Sequence, residues 1–141
     1  MSERVFLDTN ILVYADDLDA AHKNTVARQV LGDALIRGTG VLSTQVLQEF
    51  FVVVTRKLGV GAAVARRKLE LLATLEVVRI DVEVILAAID LHRLHSISFW
   101  DALIVQCAAN AGCARLLSED LQHGQILAGV KIDNPFLALP T

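Results

Sequence analysis

Apolar residues recur along the chain in short runs set between helical patterns. Val5-Phe6-Leu7 is the first run, and unbroken β-forming residues of this kind predict a strand buried on both faces, as in a parallel sheet. It stops at Asp8-Thr9-Asn10, residues that turn or cap the backbone, and apolar positions resume at Ile11, Leu12 and Tyr14 as in a first helical turn. From about Ala20 to Arg37, Val26, Val30, Leu31 and Leu35 fall on one side of a helix that Gly38 and Gly40 end. Val41-Leu42 predicts a second strand, and Ser43-Thr44 opens the next helix. That helix, about Thr44 to Leu58, is apolar nearly all round through Val46, Leu47, Phe50, Phe51, Val52, Val53 and Val54, and is expected to be well buried. Gly59 and Gly61 break it before a helix over Ala62 to Thr74. Glu76 to Ile80 alternates as a third strand, and a helix follows over about Val82 to His95. Ile97 to Trp100 leads into another helix that stops at Asn110-Ala111-Gly112, where glycine suits a left-handed end. Arg115-Leu116-Leu117 and Val130-Lys131-Ile132 complete a set of five strands. Strands separated by single helices or helical pairs predict an α/β fold, a parallel sheet with helices on both faces.

Composition narrows this picture. The 141 residues suit one domain over 1–141, and with 54% hydrophobic residues and 2 prolines disorder is not expected. Charged or amide residues interrupt every apolar run before it reaches a membrane span. The first residues lack the basic and apolar segments of a secretion signal, and Cys107 and Cys113 do not have the spacing of a metal clip. A cytoplasmic protein with reduced thiols is the expectation. A formal net charge of −3 argues against nucleic-acid binding through overall charge. Such a role needs local basic groups or a bound cation. Arg56, Lys57, Arg66, Arg67 and Lys68 lie between positions 56 and 68 with no acid among them; they form either a solvated helix face or a set of phosphate contacts.

The acids carry the candidate chemistry. Asp8 stands at the carboxyl end of the central strand, where open α/β sheets bind ligands, although it could also just cap the following helix. Glu49 interrupts the apolar helix beside Val46, Phe50 and Val53. An ionised carboxylate there is costly unless paired or bound to a cation; the plainer reading is a wet helix edge shared with Gln45 and Gln48. Ser98 to Asp101 has capping-box spacing, which also holds Asp101 rigidly on a first helical turn. Asp120 follows Leu116-Leu117-Ser118-Glu119 and again ends a strand. A period of two puts Ser118 and Asp120 on one side and Glu119 on the other, which favours Asp120 over Glu119. Parallel topology brings strand ends to one edge, so the four acids can converge. Converged carboxylates repel unless protonated or neutralised by a hard cation such as Mg²⁺ or Mn²⁺. Such a centre activates water for in-line phosphoryl displacement, which suits phosphodiester hydrolysis without a nucleophilic side chain.

Taken in order, Asp8-Thr9-Asn10, Glu49 in the third helix, Trp100-Asp101-Ala102-Leu103-Ile104 and Ser118-Glu119-Asp120-Leu121 resemble a PIN domain. More narrowly they resemble the VapC-type toxins of prokaryotic toxin–antitoxin pairs, over nearly the whole chain. The resemblance implies a three-layer α/β/α fold with sheet order 3-2-1-4-5, and Mg²⁺- or Mn²⁺-dependent cleavage of RNA. It also implies an antitoxin partner that blocks the site, and a homodimer. By position it makes Asp8, Glu49, Asp101 and Asp120 the catalytic and metal-binding acids, with Thr9, Asn10 and Ser118 in support. Ser118 stands where the family commonly has a threonine-containing turn. Other motifs are missing: there is no glycine-rich phosphate loop, and His22, His92, His95 and His123 lack a compact zinc spacing. Two rival functions are a PIN-like binding module whose acids only cap and turn, and a nuclease outside any toxin pair.

Overall fold

The structure, a computed structural model, describes residues 3–137. Strand β1 (Val5–Leu7) lies at the centre of the sheet and is buried on both faces. It pairs in parallel with β2 (Gly40–Ser43) and β4 (Arg115–Leu117). Strand β3 (Glu76–Val78) extends the sheet beyond β2, and β6 (Val130–Asp133) extends it beyond β4, both in parallel. The five strands expected from the sequence therefore stand in the order 3-2-1-4-5. A sixth, β5 (Ile126–Leu127), adds an antiparallel edge beside β6, so the full order is β3-β2-β1-β4-β6-β5.

Among the described residues six helices flank the sheet: α1 (Thr9–Asp16), α2 (His22–Arg37), α3 (Thr44–Arg56), α4 (Ala62–Leu72), α5 (Val82–His95) and α6 (Phe99–Asn110). A 3-10 turn over Leu18–Ala20 joins α1 to α2. Helices α1, α3 and α5 start at or just after strand ends, and these three and α6 have side-chain caps. Asp8 accepts from Thr9 N, Ser43 from Val46 N at 3.3 Å, Asp81 from Val84 N at 3.0 Å and Ser98 from Asp101 N at 3.1 Å. Satisfying these first-turn donors starts each helix at a defined residue, and parallel pairing gathers the starts of α1 and α3 at one rim of the sheet. Gly40 opens β2 because a Cβ there would lie 3.0 Å from both Ala34 Cβ and Leu75 Cδ1.

Helix α3 departs from expectation. It buries Val46, Leu47, Phe50 and Val54, but Val52 on the opposite side is 43% exposed. Apolar residues all round did not mean burial all round. Among the described residues no helix is long and apolar enough to cross a membrane.

Candidate active site

Four segments distant in sequence meet at the carboxyl edge of β1 and β4. Asp8, buried at the tip of β1, accepts from Thr9 N at 2.7 Å and from the Ser118 hydroxyl at 2.7 Å. Burial pushes its carboxyl up from 3.8 to about 6; the Ser118 and Thr9 hydrogen bonds oppose this, while Asp120 and Glu49 add to it by like-charge repulsion. Asp8 thus caps α1 and also faces the other acids.

Glu49 is half-buried on α3. Thr9 Oγ1 donates to its Oε2 at 2.8 Å and Gln45 Nε2 to its Oε1 at 2.9 Å. Gln45 was not singled out as a site residue from the sequence, where it marked only a wet helix edge. It is buried, and its place four residues before Glu49 on one helix face was the available signal.

The loop after β4 turns its two acids toward different partners. Ser118 is fully buried, accepts from Asp120 N at 3.1 Å and so turns the chain. Asp120, exposed at the rim, accepts from Asn10 Nδ2 at 3.2 Å. Glu119 points the other way, taking bonds from Tyr14 Oη at 2.6 Å and Lys23 Nζ at 2.8 Å. Burial alone would raise the Glu119 carboxyl, but Lys23 and Tyr14 hold it below its ordinary value. It is spoken for by a cation, as Asp120 is not.

Asp101 lies in the first turn of α6. Its carboxyl is raised by burial, against a Ser98 hydrogen bond that lowers it, and further raised by Asp120 and Glu49. The helix cap itself is Ser98. A purely capping Asp101 would gain from the positive helix end, and losing that charge would cost about 0.3–1 kcal/mol. The upward shift says that repulsion and burial outweigh this. Asp101→Asn is therefore expected to leave the melting temperature in EDTA at neutral pH unchanged or higher. A clear fall with RNA cleavage intact would return Asp101 to a structural role.

A groove of about 650 Å³ reaches two of the four acids, Glu49 and Asp120; Thr9, Asn10, Asp17 and Asp19 also line it, and Val13, Tyr14, Val53 and Lys57 wall it. Of the five basic residues singled out from the sequence, Lys57 alone lines it. Arg66 pairs with Glu70 four residues on, and Lys68 pairs with Asp16 at 3.1 Å. Arg56 and Arg67 are exposed. The expected basic cluster is in part an internally neutralised face, because its acids lie outside the segment.

The donors at this rim are all oxygen, which suits a hard cation. Asn10 Oδ1 is buried without a donor, while its amide nitrogen serves Asp8, Ser118 and Asp120. Among the described residues, however, no three His, Cys, Asp or Glu side chains stand close enough to enclose a metal ion. Direct ligation of one ion by all four acids is thus not what these side chains provide. They fit an ion such as Mg²⁺ that takes one or two carboxylates and keeps several of its waters.

The PIN domain family model matches residues 5–126. The chain belongs to the PIN domain family. No curated protein matches it by sequence, but solved structures do by fold. Mycobacterium tuberculosis VapC20, a sarcin–ricin loop cleaving toxin, is 21% identical, with 82% of this chain and 91% of that one covered at a TM-score of 0.67. A toxin–antitoxin complex from Klebsiella pneumoniae is 19% identical, with 93% and 97% covered and a TM-score of 0.67. DNA-bound VapBC from Salmonella typhimurium is 16% identical, with 95% and 99% covered and a TM-score of 0.68. Identities this low speak for a shared fold. The six-stranded sheet with its acid-bearing rim is this PIN chain's version of it.

Proposed function

We propose that this PIN protein is a metal-dependent endoribonuclease and the toxin of a type II toxin–antitoxin pair. The observation that carries the reading is the set of four acids from separate elements at one rim. Their mutual repulsion helps to raise Asp8 and Asp101. Capping accounts for Asp8 and, through its bond with Ser98, in part for Asp101, but Glu49 lies inside α3 and Asp120 caps no helix. The binding-module alternative leaves those carboxylates unexplained.

Asp8, Glu49, Asp101 and Asp120 would hold Mg²⁺ or Mn²⁺, in part through water. When bound, the cation supplies an activated water and offsets charge on the phosphate during in-line displacement. The remaining work belongs to the chain. Thr9 and Gln45 fix both oxygens of Glu49, Ser118 orients Asp8, and Asn10 orients Asp120. Lys57 brings a positive charge to the groove, where it can contact a backbone phosphate. Positioned groups of this kind act without reorganising during the reaction. The toxin assignment draws on the VapC and VapBC proteins of like fold, and with it come an antitoxin that occludes the rim, a homodimer and a cytoplasmic setting.

Induction in a bacterial host tests the toxin reading. The wild-type chain should arrest growth with fragmentation of RNA, and Asp120→Asn should not. Equal growth of both strains at equal soluble protein would contradict it.

A further inference from the structure

The residue before Asp101 is the molecule's one tryptophan, and it is 63% exposed. Trp100 packs edge-to-face on Phe99 with ring centroids 5.1 Å apart, so the indole is braced yet open to solvent. It rims a hollow of about 470 Å³ walled by Ile80, Ile85, Phe99 and Leu103, with Gln45 as a polar member. The hollow adjoins the acids through the chain at Asp101 and through the Gln45–Glu49 hydrogen bond. Gln45 is 6% exposed, and its Oε1 is buried without a donor. Arg79, exposed and free of ion pairs among the described residues, directly precedes Ile80 in the chain without lining the hollow itself.

We propose that this hollow is a nucleobase subsite. It takes an unpaired base of single-stranded RNA next to the scissile phosphate, stacked on Trp100, with Arg79 on an adjoining phosphate. The substrate class rests on the ribonuclease reading. An open indole against apolar walls suits a planar ring, and stacking on aromatic side chains is how proteins hold unpaired bases. The buried Gln45 Oε1 is an acceptor that the exocyclic amino group of a base would satisfy. A chain of net charge −3 cannot hold RNA by overall charge, so stacking supplies what charge does not. Covering of Trp100 by a second copy would explain the apolar walls and the exposed Val82, Leu86 and Ile89 on α5. It would leave the orphaned Gln45 acceptor without a purpose.

As the single tryptophan, Trp100 reports on its own subsite through its emission. The full chain is titrated, in EDTA and again in Ca²⁺, with a short single-stranded RNA, the same strand made abasic, and the corresponding duplex. Saturable quenching is expected from the single strand alone. Trp100→Ala should weaken binding of a labelled strand by about 5- to 150-fold, the range for one stacked base, and Trp100→Phe should restore most of it. Unchanged emission with wild-type affinity in Trp100→Ala would overturn the subsite. So would absence of strand binding, or emission that follows protein concentration instead of RNA. Quenching without cleavage in Mg²⁺ or Mn²⁺ removes the nuclease reading and leaves the subsite. Cleavage with unchanged emission and full activity in Trp100→Ala does the reverse.

Discussion

Asp8→Asn should make the metal-free protein more stable while removing its activity. The folded carboxyl titrates at about 6 against 3.8 when free, chiefly because it is buried and secondarily because Asp120 and Glu49 repel it. At 1.36 kcal/mol per pH unit, holding Asp8 ionised above pH 6 costs the fold about 3 kcal/mol. The sign follows from proton counting. Between pH 3.8 and about 6 the folded state keeps a proton that the unfolded chain has released. Stability from this group is therefore gained as pH falls through that window and lost as pH rises through it. Asparagine removes the charge but weakens the bond from Ser118, which offsets about 1–2 kcal/mol of the gain. A net rise of about 1–2 kcal/mol, some 3–8 °C in melting temperature, is expected at pH 7.5 in EDTA. The difference should shrink toward pH 4. Cleavage should fall by about two orders of magnitude or more, the scale of losing a positioned acid–base group. Loss of stability of equal size at pH 4 and pH 7.5 would mean that Asp8 serves only as the cap of α1.

Mg²⁺ or Mn²⁺ should raise the melting temperature of the wild-type protein substantially. A ligand that binds only the folded state at a hundred times its dissociation constant adds about 2.7 kcal/mol, or roughly 8–13 °C for a chain of this size. Relief of the repulsion that raises Asp8 and Asp101 makes the cation a natural counterpart of this rim. Ca²⁺, with looser geometry, should stabilise without supporting cleavage. Glu49→Gln and Asp120→Asn should each reduce the shift, whereas Glu119→Gln should not, since Glu119 is engaged by Lys23 and Tyr14. Melting curves indifferent to all three ions would argue against a cation site of useful affinity.

Much of the fold was legible because its punctuation is chemical. Caps at Asp8 and Ser43 stand at strand ends, Ser98 opens α6, and the left-handed glycines Gly38 and Gly112 lie just past α2 and α6. Strand β5 was missed because it has two residues, one of them exposed, and pairs through a turn at Ala128-Gly129 with φ of 50° and 79°. That turn type ordinarily shows itself by Asn-Gly or Asp-Gly. The four acids could be read singly from strand ends and helix starts. What surrounds them could not: Tyr14 and Lys23 on Glu119, and Lys68 on Asp16, join positions far apart in the chain. Their pairing depends on packing that no local pattern encodes. The looseness of the acid set is likewise a matter of distances between elements, to which periodicity is blind.

Cleavage of RNA by the purified, antitoxin-free chain is the most direct test. The account predicts that single-stranded RNA is cut in Mg²⁺ or Mn²⁺, that EDTA stops the reaction, and that Asp8→Asn and Asp120→Asn stop it while remaining folded. RNA left whole by a folded wild-type protein in either metal, or cut equally by wild type and both variants, would contradict it.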